Sequence, residues 1–372
     1  MKRLSSPADT SLELKGKLYQ RSIYPKALEI SKGKRLSSPI VVDLDPTTFC
    51  DLSCPECISK NVINQTQFST ERLVAFSNEL ASSEVKAVIL IGGGEPLMHK
   101  GIGKTIDILS DAGIKIGLVT NGTLIHRYID QLSTKLSWIR VSLDAATEET
   151  YDVFRPSGRK QSVFPTIISN MRNLASVRSG NLGYSFLLMY RMDDFGRIAV
   201  TNYHEVLAAG RLAKDIGCDY LEVKAMFDEH HYVIGTPDEL LTLLHDQLEE
   251  LKELEDANFT VLSSSTCGAI IEKKDRVQEK KYTRCNIGEL RTTVTPSGVY
   301  LCPYHRGNAA ARIGDIKVQD FSELWRTADI GIVNPSRDCQ FHCARHESNL
   351  AIAAMADTVG HVRILDDYDP FI

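Results

Sequence analysis

Six apolar strand segments, each followed by an amphipathic helix, predict an α/β protein built on a parallel sheet. The alternation runs from Ile40 to Met226 and implies repeated right-handed βαβ units. Glycines sit where two of the helical patterns stop. Groups suited to binding fall at the carboxyl ends of the strands, as barrel enzymes require. Periodicity alone leaves a barrel and a doubly wound sheet both open.

Residues 1–39 are basic and mostly polar, and read as an N-terminal arm. Lys-Arg-Leu-Ser-Ser-Pro stands at 2–7 and again at 34–39, too short for a structural repeat and suited to turns. One short helix is expected between the copies, over 18–30. The first strand is 40–44. Ser69 or Thr70 can cap a helix with Leu73, Phe76 and Leu80 on one face. The second strand is 85–91. A helix with Ile102, Ile106 and Leu109 follows, closed by Gly113. Then come a third strand at 114–119, a helix at 124–132 and a fourth strand at 138–143. Ile167, Ile168, Met171 and Leu174 make the buried stripe of a helix over 164–177. The fifth strand is 184–190. A helix at 203–216 is stopped by Gly217, and the sixth strand is 220–226.

At Thr236 the pattern changes. Thr236, Pro237 and Glu239 read as N-cap, N1 and N3 of a long leucine-striped helix. The division expected is therefore arm 1–39, barrel-like region 40–235, and a smaller α+β region 236–372. Within the last, 290–295 and 299–301 flank Pro296-Ser297-Gly298 as a hairpin. Covering part of the barrel is one role for the acidic tail from Asp366 to Ile372, which the sequence leaves open.

The 372 residues are 43% hydrophobic and 24% charged, with room for two domains. A net charge of −5 gives no basic footprint for nucleic acid. No apolar run is long enough for a membrane helix, and no signal core opens the chain. Nine cysteines without a secretion signal read as metal ligands in a cytoplasmic, reducing setting.

Cys50, Cys54 and Cys57 put three thiols within eight residues. They offer three ligands where a closed four-iron cluster takes four. A structural zinc site would want a fourth ligand nearby, and no further His or Cys appears before His99. About 35 residues on, a strand runs into Gly92-Gly93-Gly94-Glu95. The C-x3-C-x2-C trio followed by Gly93, Gly94 and Glu95 resembles the radical S-adenosylmethionine (SAM) superfamily.

The resemblance implies a partial (β/α)6 TIM-like barrel. It implies a [4Fe-4S] cluster on Cys50, Cys54 and Cys57 whose open iron chelates SAM. Gly93, Gly94 and Glu95 then lie along the methionine part, with Asn121, Ser142 and Asp144 at the ends of strands three and four. Asp144 alternatively caps the helix beginning near Thr147. Phe154-Arg155 matches a segment common after strand four. The family's aromatic before the third cysteine is Glu56 here.

Cys285, Cys302, Cys339 and Cys343, with the hairpin, resemble the twitch or SPASM-like domain of these enzymes, which implies an auxiliary [4Fe-4S] cluster. The last pair is C-x3-C, so His342 or His346 competes as a ligand, and zinc is the other reading. Cys218 reads as a small buried residue.

The implied chemistry is hydrogen abstraction by a 5′-deoxyadenosyl radical. Flavodoxin or ferredoxin is the expected electron donor. Lys224 and Arg191 are candidates for proton transfer or substrate anchoring, and Cys267 for hydrogen-atom donation, a fifth metal ligand or an inert thiol. The expected substrate is a small sugar, aminocyclitol or nucleoside that is oxidised or epimerised. The alternative is a peptide maturase served by a separate recognition protein.

Overall fold

The computed structural model describes residues 14–358 and 362–372. The first hexapeptide copy, at 2–7, lies outside the described residues. All six predicted strands form: β1 (Val41–Leu44), β2 (Ala87–Leu90), β3 (Lys115–Thr120), β4 (Trp138–Ser142), β5 (Asn181–Leu188) and, after the small hairpin β6 (Tyr190–Met192) and β7 (Ile198–Thr201), β8 (Tyr220–Ala225). Four more follow: β9 (Thr260–Ser263), β10 (Arg291–Thr295), β11 (Gly298–Tyr300) and β12 (Arg312–Gly314).

The chain divides into two compact units. Among the described residues, one holds 14–49, Val62–Leu118 and everything from Gln278; the other holds Cys50–Asn61 and Val119–Val277. In the first, β1 runs parallel to β2 on one side and to β10 on the other. The β10–β11 hairpin thus extends the sheet beside β1, with β12 antiparallel beyond it. β1 and β2 are buried along their whole length, as strands of a sheet covered on both faces are.

In the second unit β4, β5, β8 and β9 are all parallel. The sequence reading missed β9, whose four residues are mostly half-buried and carry no apolar run. Register pairs Ser142 with Ser185 and Ser185 with Glu222. Side chains alternate along a strand, so Arg140, Ser142, Ser185, Glu222 and Lys224 share one face. Gly217 adopts φ +91° and ends Val206–Ile216, a left-handed turn that glycine adopts without strain.

Three helix expectations need correction. The segment 18–30 is a 3-10 turn (Gly16–Tyr19) and a helix (Tyr24–Ser31), split because Gln20 turns extended and bridges Leu365. The segment 124–132 is a 3-10 turn (Ile125–Tyr128) leading into Ile129–Thr134. The long helix begins at Asp238 without a side-chain cap, because the Thr236 hydroxyl is 3.1 Å from the Tyr203 hydroxyl. The acidic tail packs within the first unit: Lys17 pairs with Asp369 at 2.6 Å, and Arg291 donates to the Ile372 carbonyl.

Trp325 is fully buried beside Phe321, and its indole N–H donates to the Leu36 carbonyl at 3.1 Å. Trp325→Ala is expected to cost about 3–5 kcal/mol. Chemical denaturation of the variant against the parent checks this.

Candidate active site

The cysteine loop is held by main-chain and side-chain bonds within its unit. Ser53 N–H donates to the Pro156 carbonyl at 2.7 Å, and Cys57 N–H to the Cys54 carbonyl at 3.2 Å. Asn121, past β3, donates to Asp51 at 2.8 Å and points the same amide at the Cys50 sulfur, 3.8 Å away. Thr123, which the sequence reading did not single out, donates to the other Asp51 oxygen at 2.9 Å. The Arg155 guanidinium reaches the Cys54 sulfur at 4.0 Å. Two of the three sulfurs therefore face N–H donors. Burial pushes the Cys54 thiol up, and Arg155 pulls it back down.

Asp144 is buried at the end of β4 with φ +60°, a conformation uncommon outside glycine. It does not cap the next helix; Thr147 does, accepting from Thr150 N–H. Instead its carboxylate pairs with Arg155 through Nε at 2.6 Å and accepts from Leu187 N–H at 2.7 Å. Ser142 is half-buried in β4.

Glu56 and Arg191 explain one another. The guanidinium grips the Glu56 carboxylate through two nitrogens, one at 3.0 Å, and lies 5.0 Å over the Phe154 ring. The carboxylate in the aromatic's place thus anchors the arginine that was a catalytic candidate. Lys224 lies 3.8 Å from Glu222, which Arg140 also holds at 2.7 Å. Burial lowers the Lys224 ammonium's proton affinity, and Glu222 restores part of it. Cys267 is fully buried in Ser265–Ile271, where burial raises its thiol. Cys218 is buried too.

The glycine turn lies in the other unit. A Cβ on Gly94 would stand 2.2 Å from the Phe49 carbonyl oxygen, which accepts from Glu95 N–H at 2.8 Å. Gly94 is therefore small because it packs on the backbone leading into Cys50. A Cβ on Gly93 would meet only ordinary contacts. Gly93 N–H donates to Asp45 at 3.1 Å, and Asp45 pairs with Arg306 at 2.5 Å. Glu95 is buried, with one oxygen accepting from Leu97 N–H.

The second cysteine set converges. Cys285, Cys302, Cys339 and Cys343 line one enclosed cavity with Lys280, Arg345 and Tyr304. Burial pushes Cys285 up to about 12 and Cys302 to about 11, with further repulsion from neighbouring thiolates. His305, three residues past Cys302, places Nε2 3.3 Å from the Cys339 sulfur. Of the two histidines weighed as competing ligands, His346 has its Nδ1 2.9 Å from the Tyr282 hydroxyl.

The radical SAM superfamily profile matches residues 44–199, which carry the trio, the glycine turn and the strand ends. Residues 44–199 are a radical SAM domain. The AdoMet-dependent heme synthase of Methanosarcina barkeri is 24% identical over 320 residues, 79% of this chain and 84% of that enzyme. The mycofactocin maturase MftC of Mycobacterium tuberculosis is 26% identical over 187 residues, 48% of this chain and 46% of its own length. Among solved structures, Streptococcus suis SuiB bound to precursor peptide SuiA matches with a TM-score of 0.59 at 14% identity. That match covers 82% of this chain and 68% of SuiB. It shows the fold, so the parallel sheet is that of a radical SAM partial barrel and not a doubly wound one.

A radical SAM enzyme uses a [4Fe-4S] cluster and SAM, and the cysteine trio fits the cluster. Thiols facing N–H donors are the donor chemistry of iron–sulfur sites. Among the described residues, no three Cys, His, Asp or Glu side chains stand close enough to share one metal ion. A four-iron cluster puts each thiolate on a separate iron, so its ligands stand farther apart than those of zinc.

Arg155→Ala leaves the buried Asp144 carboxylate without its cation. It is expected to cost about 3–5 kcal/mol, whereas the double variant Asp144→Asn/Arg155→Met recovers most of that. Urea midpoints of both variants test the pair.

Proposed function

We propose that this radical SAM enzyme is a peptide maturase that removes a hydrogen atom from a precursor peptide, leading to a crosslink or an inverted stereocentre. The observation that carries the reading is the second cysteine set, in a chain 82% of which matches the fold of SuiB, solved with its precursor peptide SuiA. The maturase MftC among the sequence relatives supports it further. This reading displaces the small sugar, aminocyclitol or nucleoside expected from the sequence.

In this reading the functional division is an arm to 39, a barrel over 40–235 and an auxiliary region over 236–372. Cys50, Cys54 and Cys57 hold the SAM cluster, and Gly93, Gly94, Glu95, Asn121, Ser142 and Asp144 contact SAM. Cys285, Cys302, Cys339 and Cys343 hold the auxiliary cluster. When bound and reduced, the cluster and SAM supply a 5′-deoxyadenosyl radical. Lys224, held by Glu222, accepts or returns a proton at the substrate. Arg191, fixed by Glu56, orients the peptide, and Cys267 is the reserve hydrogen donor. Flavodoxin or ferredoxin supplies electrons in a cytoplasmic setting. Among the described residues, no helix is long and apolar enough to cross a membrane.

The heme synthase relative covers 79% of the chain and favours a second reading, a tetrapyrrole substrate. Anaerobic incubation of the reduced enzyme with SAM separates the two. Peptides encoded beside its gene should raise 5′-deoxyadenosine and either lose two hydrogens or take up solvent deuterium. If only tetrapyrroles or sugars raise it, the peptide reading falls.

Iron content tests the cluster assignments. The protein should hold about eight irons per chain. Cys50→Ala/Cys54→Ala/Cys57→Ala should retain about four and form no 5′-deoxyadenosine.

A further inference from the structure

We propose that Lys280 and Arg345 form a buried positive cradle that poises the second cysteine site to accept an electron. The proposal rests on reading that site as a four-iron centre.

Both cations line the cavity of the four cysteines, at only 2% and 6% exposure. Lys280 Nζ donates to the Gln278 carbonyl at 2.6 Å, the Gln278 side-chain oxygen at 2.8 Å and the Phe341 carbonyl at 2.8 Å. These use all three ammonium protons, and every acceptor is neutral. Among the described residues no carboxylate pairs with Lys280. A buried cation without a counter-ion is strongly unfavourable, so the fold holds it for an anion.

Arg345 supplies the second charge. Its guanidinium touches Asp43 at 3.2 Å, but Arg291 already holds both Asp43 oxygens, at 2.8 Å and 3.1 Å. Arg291 also donates to the Ile372 oxygen at 2.8 Å, so Arg345 shares Asp43 with a guanidinium that has a second acceptor. The other carboxylates nearby are taken: Asp338 by Arg337, Glu289 by Arg284, and Asp45 by Arg306.

A four-iron cluster on four thiolates is already a dianion, and one added electron makes it a trianion. Positive charge on Lys280 and Arg345 at the cavity wall favours that step. Beside Asn349 and His305 much of the remaining wall is apolar or aromatic, including Ile287, Leu301, Val333, Tyr304 and Phe341, so the charges are weakly screened. Lys280 and Arg345 are positioning residues; neither needs to touch the peptide.

The test is a mediator-coupled redox titration followed by EPR, on full-length protein. Cys50→Ala/Cys54→Ala/Cys57→Ala is the parent, so only the second site titrates. Lys280→Gln keeps donors for the neutral acceptors and should shift the one-electron equilibrium about tenfold toward the oxidised form. That lowers the midpoint by 59 mV. Arg345→Gln should shift it the same way, and Lys280→Arg should hold it. Retained iron with an unmoved midpoint in both glutamine variants overturns this proposal alone. A parent without iron at the second site overturns the cluster reading, and this proposal with it.

Discussion

Four thiols crowded into one water-poor cavity cannot all ionise without positive charge close by. Burial and mutual repulsion hold Cys285 and Cys302 well above their ordinary range, while Arg345 eases Cys302 back. Much of the first unit is arranged around that demand. The β10–β11 hairpin places Cys285 and Cys302 at its two ends, and β10 docks on β1 so that Asp43 meets Arg291 and Arg345. The same electrostatics act on a smaller scale at the other trio, where Asn121 and Arg155 turn N–H groups toward Cys50 and Cys54.

Most of the chemistry was legible in the sequence because short-range spacing encodes it. Cys50, Cys54 and Cys57 share one loop, and the glycine turn follows β2 directly. β2 was legible because its apolar run is continuous, as a sheet buried on both faces requires, and β4 although Arg140 and Ser142 interrupt it. Long-range pairings were not. Nothing local in Arg291–Thr295 says that its partner is Val41–Leu44, about 250 residues earlier. Arg345 reads as an ordinary surface charge until Asp43 and the cavity are seen. β9 escaped notice because Thr260–Ser263 is short and half-exposed.

Other misses came from local rules losing to tertiary partners. Thr236 has the sequence of a helix cap, but its hydroxyl goes to Tyr203. Asp144 looked like a cap and is an ion-pair partner instead, with Thr147 doing the capping. Glu56 looked like a flaw in the motif. With Arg191 bound to it, the substitution becomes a paired exchange, carboxylate for ring on one side and guanidinium on the other.

Asp45 touches both the Gly93 amide and the Arg306 guanidinium. One acid therefore serves two turns that lie more than two hundred positions apart in the chain. Recombination that replaced the carboxy-terminal third with a foreign sequence would strand that acid without its counter-charge. Such exchange would have to carry a compensating base or lose the acid, so the two ends of this gene are expected to be inherited together.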